Sequence, residues 1–202
     1  AADVAVGPFA LTDGLGHRAL GVNRGVSFFE SENRLITPTG LEPLAMPRKA
    51  NLLGLLQNRL LMRVAEPWTV NGSSFTAGAL LSLDLAAATA DPGHLKPTAI
   101  FVPGPRETFD GSVATRDRLV VTTYENVRGR AFIYTPEADG GWSRRSLDLP
   151  DNSSLYLVAA DDRSSDAYLA VTGFLVPTTL LHLDADAGTT AVIKAIAPRF
   201  DA

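Results

Sequence analysis

Apolar residues along this chain come in short runs of about four to seven, broken by Gly, Pro, Asn and Asp. No long stretch repeats them at i, i+3, i+4 and i+7, so extended amphipathic helices are not expected. One short helix is predicted over Leu83–Ala90, where alanines cluster and Pro92-Gly93 stops them. Strands are predicted over Leu52–Leu56, Leu60–Ala65, Ala79–Leu83, Ala99–Val102, Leu119–Tyr124, Arg130–Tyr134, Leu155–Ala159, Tyr168–Thr172, Leu180–Leu183 and Ala191–Ile196. In the first fifty residues the strands fall at Ala19–Val22, Val26–Phe29 and Arg34–Thr37. Turn residues lie between them: Gly40, Pro43, Asn71-Gly72, Val127-Arg128-Gly129, Asp139-Gly140-Gly141, Asp151-Asn152 and Asp186-Ala187-Gly188. Runs such as Leu119-Val120-Val121 do not alternate with polar residues, as expected of a sheet covered on both faces.

The strands recur in pairs. Ala79 and Ala131 start comparable strands 52 residues apart, and Leu180 follows Ala131 by 49. The preceding strands are spaced 59 (Leu60 to Leu119) and 49 (Leu119 to Tyr168). A period near 50 with four short strands per unit is the pattern of propeller blades. The fold class expected is all-β, a partial β-propeller of about four blades, each a four-stranded antiparallel sheet, over residues 1–202. A β-sandwich with accidental similarity between its strands is the other architecture that fits.

Composition narrows the function classes. The chain has 202 residues, 46% hydrophobic, with 18 basic and 22 acidic side chains and no cysteine. The net charge of −4 argues against nucleic acid or an anionic membrane as partner. Without cysteine there are no disulfides, thiolate metal sites or cysteine nucleophiles. That absence leaves the compartment open between cytoplasm and periplasm. No apolar run approaches the ~18 residues of a membrane span. Ala1-Ala2-Asp3 shows no basic and apolar leader pattern.

The C-terminal part carries a resemblance. Val171-Thr172-Gly173-Phe174-Leu175-Val176-Pro177-Thr178-Thr179-Leu180 resembles a strand junction late in the propeller of the prolyl oligopeptidases, and the tail Pro198-Arg199-Phe200-Asp201 resembles that family's P-x-F-D segment. Glu66-Pro67-Trp68 with Phe75–Leu80, and Asn126–Gly129 with Gly140-Gly141-Trp142, point the same way. The resemblance runs from about Asn51 to the end. It implies a two-domain serine peptidase whose seven-bladed propeller limits entry to short peptides, with catalysis in a hydrolase domain that follows the F-D segment. It implies that this chain is the C-terminal part of such a propeller. Its partners would then be the hydrolase domain of the parent chain and the short peptide substrate, and its open sheet edges would favour self-association or re-closure into a smaller ring. A free-standing β-rich binding module and a small propeller enzyme of glycosidase or lactonase type are the alternatives.

Side-chain chemistry adds no site of its own. A serine hydrolase needs Ser on a G-x-S-x-G elbow. Ser27, Ser74 and Ser143 follow such a glycine, but Phe29, Thr76 and Arg145 stand where the second glycine belongs. His17 and His94 lie in turns and His182 in a strand, and no H-x-x-x-H spacing occurs for zinc. Asp184, Asp186 and Gly188 start like a calcium loop without its closing Glu, and read as an Asx turn, as do Asp161-Asp162. Paired carboxylates for glycosidase chemistry have no distinct signature here. No phosphate-binding glycine loop occurs. Arg128, Arg130, Arg144 and Arg145 form the most basic stretch, either a solvated hairpin face or a docking site for a carboxylate or the hydrolase domain. Asn71 and Asn152 match the glycosylation sequon. The expectation is no catalytic, metal or cofactor residue within this chain.

Overall fold

The computed structural model describes residues 5–197; the Pro198–Ala202 tail lies outside them. In chain order the elements are β1 (Ala5–Thr12), β2 (Arg18–Gly25), β3 (Ser31–Thr37), β4 (Gly40–Pro43), β5 (Ala50–Leu56), β6 (Arg59–Val64), β7 (Trp68–Val70), β8 (Ser73–Phe75), β9 (Leu80–Asp84), α1 (Leu85–Ala90), β10 (Thr98–Phe101), β11 (Glu107–Ala114), β12 (Leu119–Glu125), β13 (Arg128–Pro136), β14 (Trp142–Ser146), β15 (Ser153–Ala160), β16 (Asp166–Gly173), β17 (Thr179–Asp184) and β18 (Thr189–Ala195). They make four four-stranded antiparallel sheets, ordered β1-β2-β3-β4, β10-β9-β6-β5, β11-β12-β13-β14 and β15-β16-β17-β18. A small β7-β8 hairpin is inserted in the second sheet's path. Four meander sheets in series are the expected blade pattern, and the sandwich alternative falls.

The chain divides at Val102/Pro103 into two compact units of two sheets each. In the first unit, Ala19 and Leu35 pack with Leu60, Met62, Val64, Leu81 and Leu83 between the two sheets. Helix α1 adds Leu85 and Ala88 to that core. Its start is fixed by Asp84, whose side chain accepts the Ala87 N–H at 2.7 Å. In the second unit, Val120, Ala131 and Ile133 pack with Leu155, Leu169, Val171 and Leu183.

Tight turns set the registers. The pairs Gln57-Asn58 (φ 46° and 61°), Asn71-Gly72 (49° and 77°) and Asn126-Val127 (49° and 69°) have positive φ at both positions. That is the type I′ geometry whose twist matches the strands it joins. Within each unit the first strands of the two sheets are neighbours, β1 beside β5 and β11 beside β15. The turns after those strands are tied together: Asn58 N–H donates to the Asp13 carboxylate (3.1 Å), and Arg116 N–H donates to Ser164 O (2.9 Å).

Several local expectations need correction. Val26–Phe29 is not a strand. The Val26 and Ser27 N–H groups both reach Glu30 O (2.9 and 3.2 Å), closing a turn that leaves Phe28 and Phe29 exposed. Gly40 and Pro43 are in strand β4 rather than a turn. The helix starts at Leu85, because Leu83 continues β9. Strands β1, β7, β8, β11 and β14 carry no apolar run, and the sequence pattern does not announce them.

Candidate functional site

The serines and histidines singled out by sequence are not brought together. Ser27 lies in the exposed β2–β3 turn. Ser74 on β8 pairs with the Thr69 hydroxyl at 3.0 Å, and Ser143 on β14 donates to Glu137. Each histidine pairs with an aspartate: His17 with Asp13 (2.8 Å), His94 with Asp91 (3.0 Å) and His182 with Asp166 (2.6 Å). Beside His182 a serine is present, but in the wrong order. The Ser164 hydroxyl donates to Asp166 Oδ2 at 2.7 Å while His182 Nε2 meets Oδ1. The carboxylate sits between them, so the hydroxyl has no imidazole to take its proton. The His182 ring and the Ser164 hydroxyl hold the Asp166 carboxyl below its usual range.

The calcium-loop candidate is an Asx turn. Asp184 Oδ1 accepts the N–H groups of Asp186 and Ala187, both at 3.0 Å, and these hydrogen bonds, that of Ala187 first, keep its carboxyl acidic. Asp186 is taken by Arg118 (3.1 Å) and Arg116 (3.8 Å). Asp161 similarly accepts the Arg163 N–H (2.9 Å). Among the described residues, no three acidic or imidazole groups are placed to hold one metal ion.

The basic stretch resolves into internal ties. Arg130 pairs with Asp151 at 2.6 Å. Arg144 lies over the Phe132 ring, 4.7 Å from its centroid. Arg145 donates to the carbonyls of Ala187 (3.0 Å) and Asp186 (3.3 Å), joining β14 to the β17–β18 turn. Arg128 is exposed. Three of the four guanidiniums therefore brace the second unit, a role that a count of charges could not distinguish from carboxylate capture. Asn71 donates to Leu95 O (2.7 Å), and Asn152 holds a positive φ of 55° in a turn.

What the fold does present is a set of first strands with a shared irregularity. The pairing of first with second strand slips between Leu52 and Gly54, between Phe109 and Gly111, and between Leu157 and Ala159. The extra residue is Leu53, Asp110 or Val158, and all three are exposed. A bulge re-aims its side chain away from the regular pleat. Nothing in the sequence announces these positions, because register, not residue type, creates them. Burial is uneven as well. Strands β6, β9 and β12 are buried on both faces: Leu60 and Leu61, Leu80 and Leu81, Leu119 and Val120 are each at most 2% exposed. The first and last sheets bury one face only. Leu20, Ile36 and Leu41 share the open face of the first sheet at 40–55% exposure, and Tyr156 is on that of the last at 54%.

Comparison with known proteins matches this architecture. The profile of the prolyl oligopeptidase N-terminal β-propeller domain covers residues 69–196, more than half of the chain. An uncharacterized peptidase of Sinorhizobium fredii, y4nA, is 34% identical over 187 residues, which is 89% of this chain and 25% of that protein. The uncharacterized peptidase RP174 of Rickettsia prowazekii is 23% identical over 84% of this chain and 24% of its own length. Among solved structures, a post-proline cleaving enzyme from Rickettsia typhi superposes with a TM-score of 0.85 at 20% identity, over 98% of this chain and 30% of that one. Oligopeptidase B from Trypanosoma brucei superposes with a TM-score of 0.65 at 18% identity, over 98% of this chain and 28% of that one. The chain thus spans about a quarter of the length of its curated relatives. The match to that profile over more than half of its length places this chain in the prolyl oligopeptidase family as part of its N-terminal β-propeller domain.

Proposed function

We propose that this chain is the non-catalytic, substrate-gating portion of the propeller of a larger serine peptidase acting on short peptides, with the hydrolytic serine in another domain of the parent protein. The observation that carries the reading is the contrast between sheets. The inner strands β6, β9 and β12 are buried on both faces, while Leu20, Ile36 and Leu41 of the first sheet and Tyr156 of the last stay open. Apolar sheet faces of this kind suit packing against further blades at about 10 Å spacing. The serines, histidines and aspartates above serve turns and strands, which agrees with chemistry residing elsewhere.

The partners in this reading are the hydrolase domain of the parent chain and the peptide that passes the propeller. The same open faces would make the isolated chain self-associate. The test compares the parent protein, this chain alone and a parent variant whose elbow serine is alanine, on a succinyl-Gly-Pro chromogenic peptide. Turnover by the parent only supports the reading. Turnover by residues 1–202 alone, or the lack of a G-x-S-x-G domain in the parent reading frame, overturns it. A strict monomer of the isolated chain in light scattering overturns the self-association part.

A further inference from the structure

The first strand of each blade borders the central channel of a propeller. In this chain the four first strands read AVGPFALT, ANLLGLL, ETFDGSVA and SSLYLVAA. They contain no lysine or arginine and two charged residues, Glu107 and Asp110, both acidic and both on β11. The two differ in placement. Glu107 starts the strand, and its carboxylate turns back to accept the Gly104 N–H at 3.3 Å. Asp110 is the bulge residue itself, exposed, in the position that Val158 occupies on the neighbouring β15.

Asp110 is also held. The hydroxyl of Thr122, a residue 1% exposed, donates to Asp110 Oδ2 at 3.0 Å. The next residue, Gly111, lies beside β15: a Cβ there would be in ordinary contact with Leu157 Cδ1 at 3.5 Å. The carboxylate is thus anchored on one oxygen by a buried donor at the seam of β11 and β15, with Glu107 at the start of β11 as the other charge on the four first strands. Sequence inspection passes over it, because one Asp among 22 acidic residues is distinguished only by the bulge register.

We propose that Asp110 is a specificity-determining residue: a fixed negative charge on the channel-facing strand that favours peptides bearing a cation, an N-terminal ammonium or a Lys or Arg side chain, over neutral peptides of the same size. It acts on selection and takes no part in bond cleavage. The physical basis is the Coulomb attraction of one carboxylate for a cation passing within a few ångströms in a wet channel, a few-fold effect that weakens with salt. The inference rests on the reading of this chain as a peptidase propeller.

The experiment uses the full-length parent protein as wild type, Asp110→Asn and Asp110→Glu. Each is assayed on two short peptides identical except for Lys or Gln at a position remote from the scissile bond. Asp110→Asn keeps the shape and can still accept from Thr122, while Asp110→Glu keeps the charge. The expected result is a kcat/KM ratio, Lys peptide over Gln peptide, that falls two- to fivefold in Asp110→Asn and is retained in Asp110→Glu. The wild-type ratio should decline between about 20 mM and 500 mM salt. An unchanged ratio in Asp110→Asn, or an equal loss on both peptides, overturns this inference and leaves the peptidase reading standing. A parent protein that cleaves neither peptide overturns both.

Discussion

The Asn58 backbone N–H donates to the Asp13 carboxylate at 3.1 Å, fastening the β5–β6 turn of the second sheet to the β1–β2 turn of the first. The same carboxylate accepts the N–H groups of Leu15 (3.1 Å) and His17 (3.0 Å) and lies 2.8 Å from the His17 ring nitrogen. Its side chain is 2% exposed. Removing it takes the shared acceptor from three part-buried N–H groups, at about 1–3 kcal/mol. Asp13→Ala should therefore lower unfolding stability by that amount, read as a shift of the urea midpoint with unchanged slope. A variant within about 0.5 kcal/mol of wild type, again on the scale of one hydrogen bond, would refute this role for the tie.

Asp13 also sets a pH dependence. Burial alone raises its pKa, but the N–H of Asn58 and the ring and N–H of His17 outweigh that and hold the carboxyl below its usual range. A carboxyl more acidic folded than unfolded adds stability above its unfolded pKa of about 4, and loses it as pH falls through the folded value. The urea midpoint should thus drop on acidification below about pH 4. The drop should be smaller in Asp13→Asn, which has no proton to gain. Equal acid sensitivity in both proteins would exclude Asp13 as a contributor.

The fold is legible where strands are continuous apolar runs. Leu60–Ala65 and Leu119–Tyr124 announce β6 and β12, because these inner strands are buried on both faces, and Tyr168–Thr172 announces β16, where Leu169 and Val171 fill the one buried face. It is illegible at the margins. β14 is Trp-Ser-Arg-Arg-Ser, an edge strand whose arginines read as a solvated hairpin until Arg145 is seen on the Asp186 and Ala187 carbonyls. The Val26-Ser27-Phe28-Phe29 run misleads for the opposite reason. Two adjacent aromatics look like core, yet they pack edge-on against each other, 4.7 Å between centroids, at the tip of a turn. Asp13 and Asp110 have no signal in the sequence, since a turn-to-turn tie and a bulge register make them distinctive.

Val127 has φ of 69° in the β12–β13 turn and is 91% exposed. A β-branched side chain in the left-handed region is strained, and here no packing offsets it. Val127→Gly should raise stability by up to about 1 kcal/mol, even after the greater entropy of glycine in the unfolded chain is counted. A thermal midpoint that moves up supports the turn geometry; one that moves down places Val127 in some stabilising contact.

Gly129, two residues on, carries the opposite constraint. It is the second residue of β13, where the sheet meets β15, and a Cβ there would sit 2.6 Å from Ser153 O and 2.8 Å from Leu155 Cγ. The first clash is with backbone, so no rotamer change relieves it, and Leu155 is itself 1% exposed in the core of the second unit. Gly7 on β1 is the control: a Cβ added there would have no atom within 4 Å, and its backbone angle is one that any residue adopts. Overpacking costs roughly 1–3 kcal/mol, whereas alanine in open space at a compatible position is neutral or slightly favourable. Gly129→Ala should thus lower the urea midpoint clearly while Gly7→Ala leaves it in place or raises it. If both variants unfold at the same denaturant concentration, the close approach of β13 to β15 is not what Gly129 supplies.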